Sequence, residues 1–113
     1  MPPRSQLSNA PPHAVEAALK KLGANLRTAR LRRNLSLAQL ASKLGVDRHV
    51  VSDAESGKLG TSVSVYAGML WAMNLLPTLN SVADPLADEE GLALVGLDQR
   101  ERARSARGPS NAF

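Results

Sequence analysis

Residues 35–58 read LSLAQLASKLGVDRHVVSDAESGK and carry the signals of two short helices joined by a tight turn. Ser36 followed by Gln39 forms a capping box, in which hydroxyl and amide satisfy each other's orphan backbone N–H groups. Leu35 and Leu40 stand where a hydrophobic staple locks the start of that helix. The same device recurs downstream, with Asp47 expected to cap a second helix and Val46 and Val51 as its staple. Between the two, Leu44-Gly45-Val46 supplies a helix end, a residue tolerant of positive φ and an apolar anchor.

The apolar spacing agrees with this reading. Leu37, Leu40, Ala41 and Leu44 fall on one face of the first helix, and Val50, Val51 and Ala54 on one side of the second. The other side of the second helix carries Arg48, His49, Ser52 and Asp53. Such short hydrogen-bonding groups near a helix N-terminus suit the reading of base edges in a DNA major groove. Two capped helices around a Gly-containing turn are the pattern of a helix-turn-helix.

The rest of the composition bounds the possibilities. A chain of 113 residues holds one small domain plus tails. With 43% apolar but only 3% aromatic residues, its core must be aliphatic. The absence of cysteine excludes a disulfide framework, a thiolate metal site and a thiol nucleophile. The longest apolar run, residues 66–73, is too short to span a bilayer. The N-terminal MPPRSQLSNAPPH lacks the apolar centre of a signal peptide. A cytoplasmic location is therefore expected.

The net charge of +4 is unevenly spread. Residues 20–58 hold nine basic groups and three acids, residues 84–98 five acids and no base, and residues 100–107 four arginines and one acid. Either these are ordinary solvated charges, or the central region faces a polyanion while the acidic segment faces elsewhere.

In chain order, residues 1–13 read as a flexible arm containing Pro2, Pro3, Pro11 and Pro12. Residues 14–33 read as a long helix with the stripe Val15, Leu19, Leu22, Leu26 and Ala29. Gly23 inside it costs roughly 1 kcal/mol against Ala, so a kink or a later start near Leu22 is expected. Asn34 suits a left-handed C-cap. After the Gly57–Gly60 loop, Ser62 is expected to cap a helix over 63–73 whose core side is Val63, Tyr66, Met69, Leu70 and Met73. Gly68, Trp71 and Leu75 lie on another face, which either packs on the chain's own last helix or meets a second subunit or partner. Residues 75–83 suit a fifth short helix with Pro77 in its first turn, residues 88–95 another turn or two, and residues 98–113 disorder in isolation. The expected division is an arm at 1–13, a helix-turn-helix domain at 14–83 and an acidic, then Arg-rich, extension at 84–113.

Residues 22–75 resemble the Cro/repressor (XRE-type) five-helix DNA-binding domains through LGANLRTARLRRNLSLAQLASKLGV, VVSDAESGK and SVSVYAGMLWAMNL. The resemblance implies an all-α fold that binds double-stranded DNA as a homodimer on a palindromic operator. It places Arg48, His49 and Ser52, with Asp53 beside them, toward the bases, and Ser36, Leu37, Asp47 and Lys58 on the phosphate side, where a helix N-terminus is a natural anion site. It also implies a structural ion pair between Arg30 and Glu55. The chain departs from the family at Leu37, where Gln is usual, and at Asp53, where a basic or neutral residue is common. Residues 75–94, LLPTLNSVADPLADEEGLAL, followed by an Arg-rich end, are similar to the HipB-like antitoxins encoded beside HipA-type kinases. That similarity implies autoregulation of a toxin–antitoxin operon, with Asp88, Glu89, Glu90 and the Arg-rich end as partner contacts; solvated tail is the alternative.

Three classes of function follow: a DNA-binding repressor, a module that mainly restrains a partner toxin, and an enzyme. The third finds no support in the residues. His13 and His49, the two histidines, have no carboxylate or nucleophile at a spacing that builds a triad or a metal site. Glu89 and Glu90 are adjacent, so in a helix they point about 100° apart. No catalytic residue, metal or cofactor is expected.

Overall fold

The computed structural model describes residues 6–106, whose regular secondary structure is all helical, with no strand among them. Six α-helices follow in order: α1 (Gln6–Asn9), α2 (His13–Arg32), α3 (Leu37–Leu44), α4 (Arg48–Glu55), α5 (Val63–Ala72) and α6 (Glu89–Ala106). The chain divides into two compact units, one through Leu79 and one from Asn80. The arm expectation for residues 1–5 and the tail expectation for residues 107–113 lie outside the described residues.

Within the first unit, Leu26, Leu40, Val51, Met69 and Met73 are fully buried, each at 2% exposure or less. Burial of side chains this size contributes about 1.5–3 kcal/mol apiece. They come from α2, α3, α4 and the end of α5, so each helix donates an apolar stripe to one core. Leu22, Leu35, Leu37, Leu44, Val46 and Leu75 pack around its margin.

The helix ends are built alike. After α2, α3, α4 and α5 the chain turns through a left-handed residue: Asn34 at φ 54°, Gly45 at 69°, Gly57 at 73° and Asn74 at 60°. The amide of the residue that follows reaches back to a carbonyl in the last turn: Leu35 to Arg30, Val46 to Ala41, Lys58 to Asp53 and Leu75 to Leu70, at 2.7–3.2 Å. This is the Schellman arrangement, which satisfies carbonyls the helix leaves unpaired. Three of the four closing residues are apolar and sit at the core margin.

Several expectations are corrected. Residues 6–9 form one helical turn where the prolines predict only flexible arm. Helix α2 runs unbroken from His13 to Arg32, with Gly23 buried inside it. A Cβ at Gly23 would meet the Ala54 carbonyl oxygen at 2.6 Å as well as that of Glu55, so the glycine permits contact between α2 and the end of α4 rather than interrupting the helix. Val63, placed on the core side by periodicity, is 76% exposed. Residues 75–83 do not make an α-helix; Leu76–Ser81 is a 3₁₀ segment. Gly68 faces Leu44, whose side chain would lie 3.1 Å from an added Cβ, so the small residue serves packing of α5 on α3.

In the second unit, Asp84 accepts from the Leu86 amide at 3.0 Å and starts the 3₁₀ segment Pro85–Ala87. The expected one or two turns over 88–95 are a continuous helix of 18 residues, which also takes in residues 98–106. Asp88 starts it, its carboxylate accepting from the Gly91 amide at 2.9 Å. Glu89 and Glu90 then occupy the first turn and Arg104 the last. Acids at the N-terminus and bases at the C-terminus complement the helix dipole, which gives part of the charge segregation a local cause.

Candidate nucleic-acid interface

Helix α3 starts as its sequence dictates. Ser36 Oγ accepts from the Gln39 amide at 3.0 Å, and Gln39 Oε1 accepts from the Ser36 amide at 2.8 Å. The cap thereby uses the Ser36 N–H and one lone pair of its hydroxyl, and leaves the O–H as the group that can donate outward. The amides of Leu37 and Ala38, in the first turn, have no intrahelical acceptor. The Leu37 side chain is half-buried against the core margin. It anchors the start of the helix on the core.

Helix α4 starts differently. Asp47 holds the extended cap conformation, at φ −71° and ψ 149°, but its side chain makes no cap hydrogen bond. The expected carboxylate cap is therefore absent; instead the Asp47 carbonyl accepts from the Val50 amide at 3.0 Å. Val51 and Ala54 are fully buried and fix the rotation of α4 about its axis. Arg48 and His49 are consequently exposed in the first turn, with Ser52 and Asp53 half-buried one turn later. Val50 is half-buried rather than part of the core.

The far end of α4 is held by an ion pair. Arg30 Nε donates to Glu55 Oε2 at 2.7 Å and Nη2 donates to Glu55 Oε1 at 3.0 Å. The two side chains are only 7% and 6% exposed. The remaining guanidinium nitrogen, Nη1, donates to the Leu35 carbonyl at 2.8 Å. One arginine thus joins the loop before α3 to the end of α4. Hydrogen bonding to Glu55 raises the Arg30 pKa above its usual value, against the opposing effect of burial. Beside it, Gly57 brings its backbone against α2, with the Lys20 amide 2.6 Å from where a Cβ would stand.

Lys58 and Asp53, expected on the phosphate and base sides respectively, meet each other. Lys58 Nζ lies 3.4 Å from Asp53 Oδ2, with the side chains 65% and 39% exposed. The same two residues line a cavity of about 260 Å³ with Val50, Gly60, Thr61, Ser62 and Val65. Thr61 was not among the expected site residues, and Ser62 was expected only as a cap, which it is, accepting from the Ser64 amide at 3.2 Å. Their one sequence signal is a pair of hydroxyl residues directly after Gly60. Of the group Gly68, Trp71 and Leu75, Gly68 faces Leu44 and Leu75 packs on the core margin, while Trp71 is 61% exposed. Trp71 shares a shallow cavity with Lys43, Ala72 and Asn74. Among the described residues, no helix is long and apolar enough to cross a membrane.

Neither the curated proteins nor the solved structures contain a match to this chain. A family model described as a helix-turn-helix domain matches residues 21–79, ending at the last residue of the first compact unit. It spans the buried ion pair, the Gly45 turn and the outward edge of α4. With more than half of its length matched, this chain belongs to the helix-turn-helix domain family.

Proposed function

We propose that the protein is a sequence-specific DNA-binding transcriptional repressor that acts in the cytoplasm as a homodimer on a palindromic operator. The observation that carries this reading is the orientation of α4: Val51 and Ala54 are fully buried, which leaves Arg48 and His49 exposed in its first turn. In the major groove these side chains, with Ser52, would approach base edges. The first-turn amides of Leu37 and Ala38, together with Lys58, would meet phosphates. Lys58 would exchange its weak contact with Asp53 for a phosphate oxygen. The two half-sites would lie about one helical turn apart, roughly 34–36 Å. The role is binding rather than catalysis.

The test is a gel shift of the purified chain on DNA from upstream of its own reading frame, at two salt concentrations. Binding that weakens steeply with salt is expected, since each phosphate contact releases counterions. No binding, or binding indifferent to salt, overturns the proposal.

The narrower reading is a HipB-like antitoxin that represses its own operon and restrains a HipA-type kinase. Its support is the similarity of residues 75–94 and the Arg-rich end to that group. Co-expression with the neighbouring gene tests it: the two products should purify together, and a chain that purifies alone removes the antitoxin role while leaving the repressor role intact.

A further inference from the structure

The outward edge of α4 carries Arg48, His49 and Ser52, which can donate hydrogen bonds, and one acid, Asp53. Asp53 is half-buried and stands one turn after His49 on the same edge. Lys58 is tied to it twice: the Lys58 amide donates to the Asp53 carbonyl at 3.0 Å, and Nζ lies 3.4 Å from Oδ2. Among the described residues no other cation, His49 included, lies within ion-pair distance of this carboxylate. The cavity that Asp53 and Lys58 share brings two further hydroxyls, of Thr61 and Ser62, and no further charge. Neither hydroxyl donates to Asp53; that of Ser62 is engaged with Ser64 at 2.7 Å. In the free protein the acid and the lysine neutralise each other.

We propose that Asp53 is a specificity-determining residue that works by exclusion, admitting cytosine at the base it faces and rejecting guanine. The inference rests on the DNA-binding reading above, in which Lys58 turns to a phosphate. That move strips Asp53 of its counter-charge on every DNA sequence. An ionised carboxylate only accepts hydrogen bonds, so the base edge opposite it must donate. In the major groove the donors are the amines of cytosine and adenine, while guanine shows two acceptors and thymine an acceptor and a methyl group. Adenine sets an acceptor, N7, beside its amine, so cytosine alone offers a donor with no acceptor next to it. Guanine, with O6 and N7 together, is the base most strongly repelled. Specificity is a difference of affinities, and an unpaired charge set against the wrong partner creates it as well as a new attraction does. Sequences held by phosphate contacts alone meet the same repulsion, which lowers non-specific binding.

The test compares the full chain with Asp53→Asn by gel shift at one salt concentration. The duplexes are the DNA upstream of its own reading frame, variants of the protected site changed one base pair at a time, and a scrambled sequence. An amide in this place keeps an acceptor for the cytosine amine and adds a donor for guanine, without the charge. At one position of each half-site the natural chain should prefer cytosine to guanine by at least about tenfold, the lower end of what one base contact discriminates. Asp53→Asn should shrink that preference to about twofold or less by gaining affinity for the guanine variant, while its affinity for the natural site stays within about twofold. Affinity for the scrambled duplex should rise as well. The same base preferences in both chains overturn the proposal. An Asp53→Asn chain that only loses affinity for the natural site overturns it too, because that marks attraction to a base and not exclusion. In both of those cases the natural chain still binds DNA, so the DNA-binding reading stands; a natural chain that binds none of the duplexes overturns both.

Discussion

Helix α4 has eight residues and α6 has 18, yet the shorter one is the better anchored. Helix α4 buries Val51 and Ala54 completely, ends against α2 at Gly23, and is clamped by Arg30 through a two-pronged bond to Glu55. Helix α6 buries nothing and depends on Asp88 at its start and charges matched to its dipole. Position in α4 is set by tertiary contact, so the orientation of its polar edge is rigidly specified. The structure of α6 is locally encoded and leaves an apolar surface uncommitted. In one molecule, a helix whose polar edge keeps a fixed direction is pinned by its neighbours, and a helix built from local signals keeps its aliphatic side chains exposed.

Removing one partner of the buried pair should break this contrast most severely. Glu55→Ala strands the Arg30 guanidinium in the core margin and should cost about 3–5 kcal/mol in unfolding free energy by denaturant titration. The exposed counterpart on α6 supplies the control: Asp98→Ala, removing a pair with side chains 81% and 58% exposed, should change stability by no more than a few tenths of a kcal/mol. Comparable losses in the two variants would refute the difference in anchoring.

Next in size is Gly23→Ala. Helix propensity alone favours alanine by about 1 kcal/mol. The 2.6 Å approach to the Ala54 carbonyl reverses the sign, and a net loss of about 1–3 kcal/mol is expected. A more stable variant would show that α2 and α4 separate at little cost. On the DNA side, Arg48→Ala should lower specific affinity by about 1–3 kcal/mol and relax base preference. Lys58→Ala should weaken operator and scrambled DNA alike and lower the salt slope by about one. Equal effects on both DNAs from both variants would dissolve the division of labour along α4.

Smaller effects sharpen the picture. Ser36→Ala removes the bonded cap of α3 and should cost about 1 kcal/mol, whereas Asp47→Ala, which loses no side-chain cap bond, should cost less in the same thermal melt. Asp53→Asn releases Lys58 from a long contact of 3.4 Å and removes a negative charge from the exposed edge. Stability should move by a few tenths of a kcal/mol, while affinity for scrambled DNA rises. A fall confined to one operator base pair would instead make Asp53 a reader of that base.

Much of the site was legible because its signals are local. The Ser36–Gln39 reciprocity, the glycine after Leu44 and the Val51–Ala54 face act within five residues of one another. Reading failed where one local signal has two outcomes. Gly23 marks a break or a close approach depending on what lies opposite. Asp47 has the right residue type for a side-chain cap, but the cap is made by its carbonyl. Val63 falls in phase with Tyr66 and Leu70, yet the first turn of α5 projects past the core. The α6 region contains Asp88 as a cap and good helix formers after it, but its charge and arginine content suggested disorder.

By itself the sequence determined that the described residues form helices and no strand, where four of those helices stop, and which edge of α4 is polar. Caps, left-handed residues and apolar spacing operate between neighbours along the chain, and every residue they involve is visible in one window. Only the tertiary structure decided that Lys58 meets Asp53, that Gly68 belongs to Leu44, that Gly23 admits the end of α4 and that Arg30 reaches both Leu35 and Glu55. The reason is the same in each case: these are distances between backbones, set by how deeply α2, α3, α4 and α5 bury their shared aliphatic core, and no helix specifies that depth alone.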